Sequence, residues 1–309
     1  MNTLLQGHPF EFFYIVALAI AGVVVVARQI FGRPGLAYGF EVSELSEFAH
    51  QRRSYINIIT IARFSRQRPV AILIFAFASA PTVAALAVAG LGGGGGLGSL
   101  LWRIVPWHGV SALQAVATYL ICAGVMVGVA TWFLDVHRRR DPERYAASLH
   151  ALGGSPGRAV LMIVRGFFID EGGTCEELGW RGFAVPVLIA TWPLSPWLPT
   201  AILGALWWFW HFPREVPGLV RDGVSPRWPL NQAVFLTLCV AMSIVCTATV
   251  LLTGSFWPAL MIHGGTNVWS KGVSQPKSLY LGIVEPRTAI LVVSAVLCLT
   301  AYWLRSGHL

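Results

Sequence analysis

Three short segments hold the residues best suited to chemistry: CEELGWRGF from Cys175 to Phe183, WWFWHFP from Trp207 to Pro213, and HGGTN from His263 to Asn267. Residues four apart share a helical face, so Glu177 can pair with Arg181, with the glutamate N-terminal in the better orientation. By the same spacing, Trp207 with His211 and His263 with Asn267 each project from one side. Glu176 is turned about 100° away from Glu177, which leaves it free to face an interior cavity.

A carboxylate, two imidazoles and an amide suit hydrolysis by water. Glu176 with His211 could deprotonate a water, while His263 and Asn267 could donate hydrogen bonds to a developing oxyanion. No serine or cysteine nucleophile is required. Cys175 adjoins the glutamates, but neighbouring helical residues face different ways, and a buried thiol with no cationic neighbour is usually inert. Zinc is the chemical rival, since two His and a Glu form a catalytic ligand set. The chain has no His-Glu-x-x-His, although ligands from three helices could converge. Each segment alone also has a structural reading, as a hydrogen bond between helices or a Glu–Arg staple.

The elements that must position these residues are membrane spans. Of 309 residues, 55% are apolar and 12% charged, whereas soluble domains carry roughly a quarter charged. The apolar residues form runs of the length that crosses a bilayer. They predict an all-α polytopic membrane protein of about eight transmembrane helices, near 12–27, 70–89, 110–134, 159–189, 199–212, 230–252, 256–269 and 289–304. The fourth is interrupted, with Gly172 and Gly173 as the expected break.

Ionisable groups inside hydrocarbon are costly and tend to be functional. Of eight His, only His211 and His263 fall within spans; His8, His50, His108, His137, His150 and His308 fall in loops or at ends. Of 14 acids, only Glu176 and Glu177 lie inside an apolar stretch, with Asp170 and Glu171 just before the two glycines. Arg165 sits among apolar residues, with Asp170 or Glu171 as its expected partner.

The formal charge of +8 fits cytoplasmic loops beside anionic lipid rather than nucleic-acid binding. Segments 28–68 and 135–158 are rich in Arg, while 90–109 holds only Arg103. The positive-inside rule therefore puts the first two in the cytoplasm and the N-terminus outside, with Arg214, Arg221 and Arg227 marking another inner loop. The stretch 41–68 mixes apolar and charged residues in the manner of an interfacial helix, and Gly92 to Gly96 reads as a flexible linker. The five cysteines contain no CxxC pair and suit neither a disulfide framework nor a thiolate metal site.

In its three motifs the chain resembles the CPBP intramembrane proteases, the CAAX proteases and bacteriocin-processing enzymes also called the Abi family. The likeness is carried by EExxxR at Glu176 to Arg181, an aromatic-xxx-His at Trp207 to His211, and HxxxN at His263 to Asn267. It covers about residues 158–272, and it departs from the CAAX endopeptidases in having Trp207 where they have Phe. The resemblance implies Glu176 as catalytic base, His211 as its partner on the water, and His263 with Asn267 as the oxyanion pair. Glu177, Arg181 and Trp207 would support them. It implies an endopeptidase with no cofactor and no catalytic metal, acting on a CAAX-like or bacteriocin-like substrate.

Residues 1–157 are expected to supply N-terminal spans and basic loops, and 158–309 the catalytic core of a single membrane domain. The expected partners are the bilayer and a peptide or protein substrate, lipidated or not, with no nucleic acid; the expected place is the cell membrane. Outside proteolysis stand a non-catalytic peptide-binding or immunity protein of the same fold, and a transporter using Glu176 and the histidines as a proton relay.

Overall fold

In a computed structural model, described over residues 2–33, 39–192, 195–273 and 286–305, every regular element is helical. The N-terminal part comprises α1 (Asn2–Gly7), α2 (Pro9–Phe31), α3 (Val42–Gln51), α4 (Ile58–Phe64), α5 (Leu73–Gly90), α6 (Gly96–Trp102), α7 (Ala112–Arg140) and α8 (Pro142–Ala151). There follow α9 (Pro156–Ile169), α10 (Glu171–Glu177), a π-helical stretch (Leu178–Ala184) and α11 (Val185–Thr191). The chain then continues through α12 (Trp197–Trp210), α13 (Val216–Asp222), α14 (Trp228–Thr253), α15 (Trp257–Lys271) and α16 (Pro286–Arg305).

Among the described residues, five helical stretches are long and apolar enough to cross a membrane: α2, α5 with the 3-10 turn before it, α7, α14 and α16. The other three predicted spans are helical but short or broken. At 14 and 15 residues, α12 and α15 reach only about 21–23 Å at 1.5 Å per residue, less than the ~30 Å hydrocarbon thickness. The third, 159–189, is divided between α9, α10, the π-helical stretch and α11. All three chemical segments lie on these short pieces, packed among the long helices. Short or irregular helix is tolerated at membrane depth where it is buried in protein or lines a cavity.

The break in 159–189 falls at Asp170, not at the glycines. Asp170 leaves the helical region (φ −70°, ψ 132°) and its carboxylate accepts the Gly173 N–H, capping α10. Gly172 and Gly173 are inside α10, where their lack of a side chain has another use. A Cβ on Gly173 would lie 2.7 Å from the Gly264 nitrogen and 3.1 Å from the Leu260 carbonyl oxygen, so α10 and α15 touch backbone to backbone. Such contacts through small residues are how membrane helices pack closely. Gly173→Ala is expected to cost about 1–3 kcal/mol through overpacking, read as a lowered thermal midpoint in detergent.

The basic segments gather at one end, where the His150 ring bonds the His50 carbonyl oxygen at 2.7 Å. At the other end, the His108 N–H reaches the Thr253 carbonyl oxygen and Trp257 Nε1 the Ile104 carbonyl oxygen. Gln6, Gly7 and Pro9 line a cavity there with Gly92, Gly94 and Gly95. The glycine run is a short 3-10 turn leading into α6, with positive φ at Gly92, Gly94, Gly95 and Gly96. The predicted interfacial stretch forms two helices, α3 and α4, whose Leu45, Phe48, Ile61 and Phe64 close a small core with Phe40 and Val70. His137 is buried in the last turn of α7 rather than in a loop, and His308 lies outside the described residues.

Candidate active site

Glu176 and Glu177 end α10, where the backbone passes into its π-helical stretch. Such bulges are frequent at functional sites, and here the following turn carries Trp180 and Arg181. Glu176 Oε2 accepts two indole N–H groups, from Trp207 at 2.8 Å and Trp180 at 3.3 Å. Trp207 therefore does something a phenylalanine could not: it fixes one carboxylate oxygen by a hydrogen bond and leaves Oε1 as the other acceptor.

Glu177 and Arg181 pair as their spacing predicts, at 2.8 Å and with both side chains fully buried. The same carboxylate oxygen also binds His263 Nδ1 at 2.8 Å, joining α10 to α15. Arg181 is held further by Ser243 of α14 at 3.1 Å and by the Trp207 ring, 4.7 Å from its guanidinium carbon. A carboxylate only accepts, so Nδ1 of His263 donates and Nε2 is the nitrogen left for other work.

His211 sits at the C-cap of α12 with Nδ1 2.8 Å from the Trp207 carbonyl oxygen. Since a carbonyl only accepts, Nδ1 carries the proton and Nε2 of the neutral ring keeps a lone pair. The ring is fixed edge-on against Trp210 and Phe235.

These groups meet in one cavity of about 310 Å³ lined by Glu176, Trp207, His211, His263 and Asn267. Arg214, Lys271 and Arg287 line it as well, and Phe77 of α5 with Phe235, Leu238 and Met242 of α14 supply its apolar wall. Gly172 faces the two expected oxyanion donors. A Cβ there would stand 3.0 Å from Asn267 Nδ2 and 3.1 Å from His263 Nε2, so only glycine leaves both uncovered.

Two residues on the predicted margins belong to the site. Asp170 accepts Asn267 Nδ2 at 2.7 Å and Lys271 Nζ at 2.9 Å, and Lys271 also reaches Glu171 at 2.6 Å. The cation beside these acids is thus Lys271 and not Arg165. The signal for Lys271 was present, because it follows Asn267 by four and shares the His263 face of α15. Cys175 is half-buried, and its backbone carbonyl oxygen accepts the Thr82 hydroxyl. Among the described residues, no three His, Cys, Asp or Glu side chains come together as a metal-ligand set.

Long apolar helices around a polar cavity of acid, histidine and amide groups define a polytopic membrane protein with a site buried among its helices. Residues 156–269, which hold all three motifs, match the family described as type II CAAX prenyl endopeptidase Rce1-like. The match covers 114 of the 309 residues, the part that carries the cavity, and makes this part of the chain similar to that family. Neither a curated protein nor a solved structure matches the chain.

Proposed function

We propose that the protein is an endopeptidase that cleaves a membrane-associated peptide or protein, CAAX-like or bacteriocin-like, with water activated by Glu176 and His211. The observation that carries this reading is the convergence of Glu176, His211, His263 and Asn267, from three short helices, on one cavity. In this mechanism a water lies between Glu176 Oε1 and His211 Nε2. Glu176 takes its proton as the oxygen attacks the scissile carbonyl carbon.

The oxyanion that forms is met by Asn267 Nδ2 and by His263 Nε2. His263 donates from Nε2 when both ring nitrogens carry protons, with the Glu177 carboxylate on Nδ1 balancing that charge. Collapse then breaks the C–N bond, and the proton held by Glu176 passes to the leaving amine. Residues 158–309 are assigned as the catalytic core, with Phe77 of α5 completing its wall.

The test is cleavage of a peptide library, prenylated C-terminal peptides included, by purified protein in detergent, beside Glu176→Gln and with and without chelator. Cleavage that survives chelation and disappears in the variant supports the reading. Loss on chelation replaces it with a zinc enzyme, and activity retained in Glu176→Gln removes the glutamate mechanism.

The cavity is assigned to the cytoplasmic side, because Arg214 and Lys271 line it on the side of the Arg-rich loops. An impermeant maleimide applied to intact cells is expected to label a cysteine at exposed Gly98 and to reach one at exposed Glu143 only after permeabilisation. The opposite pattern would reverse the orientation.

A further inference from the structure

Asp170 lies outside the three motifs, yet it touches one of their residues directly. It stands where α9 ends and α10 begins, fully buried. Its Oδ2 accepts the Gly173 N–H at 2.9 Å and Asn267 Nδ2 at 2.7 Å, while Oδ1 accepts Lys271 Nζ at 2.9 Å. An asparagine side chain has one end that donates and one that accepts, close in shape, and its neighbours decide which end points where. A carboxylate only accepts, so Asp170 admits the nitrogen end of Asn267 and excludes the oxygen end. Lys271, bonded to both Asp170 and Glu171, sets a cation directly against that carboxylate.

We infer that Asp170 is a positioning residue that locks the Asn267 amide with its nitrogen towards the cavity, so that a second N–H of Nδ2 stands beside His263 Nε2 as an oxyanion donor. Nδ2 has two N–H groups, of which Asp170 takes one and leaves the other to donate, and Asn267 and His263 line the same cavity. Were the amide reversed, its oxygen would face a developing negative charge. The inference rests on the peptidase reading for the use of the donor, but the lock itself is independent of it.

Asp170→Asn keeps an N-cap side chain for α10, but it can either donate or accept and so no longer dictates the Asn267 orientation. The expected result is a fall in kcat of about tenfold to a hundredfold, towards that of losing one oxyanion donor, with KM within about twofold. In an Asn267→Ala background the same change is expected to cost no further kcat, because the group through which it acts is gone. A merely structural role would lower both backgrounds by the same factor, and that result overturns the inference. Asp170→Ser, also a good N-cap, serves if Asp170→Asn does not fold.

A second readout needs no activity. The chain has four asparagines, Asn2, Asn57, Asn231 and Asn267, so protein labelled with 15N-asparagine gives four side-chain amide pairs. Asn267→Ala identifies its own. That pair is expected to show one strongly downfield proton, bonded to the carboxylate, which moves upfield in Asp170→Asn. An unchanged pair overturns the lock. Cleavage indifferent to Glu176→Gln would overturn the peptidase reading instead, with the amide signal still deciding whether Asp170 orients Asn267.

Discussion

Glu176→Gln is expected to lower kcat by about 10³-fold or more, near the upper range of what a positioned general base contributes, while the protein stays folded. The environment of Glu176 predicts both halves of that result. Its two bonds to the enzyme are accepted from indole N–H groups of Trp207 and Trp180, and the carbonyl oxygen of a glutamine can accept both. The packing therefore tolerates the amide, but a neutral amide cannot take the proton of water. Trp207→Phe is the useful comparison. It leaves the base in place and removes one donor, so it should cost less, roughly tenfold for one orienting contact. The measurement is kcat and the thermal midpoint of each purified variant in detergent. A Glu176→Gln enzyme within about threefold of the wild type, well short of the general-base contribution, would remove Glu176 as the base.

Arg181→Met is expected to be the most damaging single change to stability. Arg181 and Glu177 are fully buried, and the guanidinium also holds Ser243 and stacks on Trp207. Removing one partner of such a pair typically costs about 3–5 kcal/mol, because the remaining charge stays buried. That corresponds to a fall of roughly 10 °C in thermal midpoint for a domain of 150–250 residues. Glu177 would keep only His263 as a cationic partner, so the defect should reach the site as well. The double variant Glu177→Gln with Arg181→Met removes both charges and should be more stable than Arg181→Met alone. If the double variant were the less stable, the ion pair would be the wrong source of the loss.

The long helices were legible because apolar runs of bilayer length have few alternatives, and five of the eight predicted stretches are long, apolar helices in the structure. The remaining three were legible as helical but not as short. Their length depends on what surrounds them, since a 14-residue helix is stable at membrane depth only when protein or a cavity covers its ends. The break at Asp170 was misplaced for a local reason. Glycine is a general helix breaker, whereas an aspartate N-cap with glycines behind it starts a helix, and the contact with Gly264 that makes those glycines necessary comes from a distant part of the chain.

Of the candidate site, the Glu177–Arg181 pair and the shared faces of Trp207 with His211 and His263 with Asn267 follow from helical spacing alone. The bonds that join the segments do not. Trp207 reaches Glu176 across 31 residues, His263 reaches Glu177 across 86, and Lys271 reaches Asp170 across 101.

The sequence by itself therefore determined a helical membrane protein, its three chemical segments and the face each side chain takes on its own helix, because bilayer thickness and the 3.6-residue period act on neighbouring residues. Only the tertiary structure decided that α10, α12 and α15 enclose one cavity, that Glu177 bridges Arg181 and His263, and that Asp170 and Lys271 stand behind Asn267. Those arrangements depend on how closely helix backbones approach one another, a property of pairs of helices that no single segment encodes.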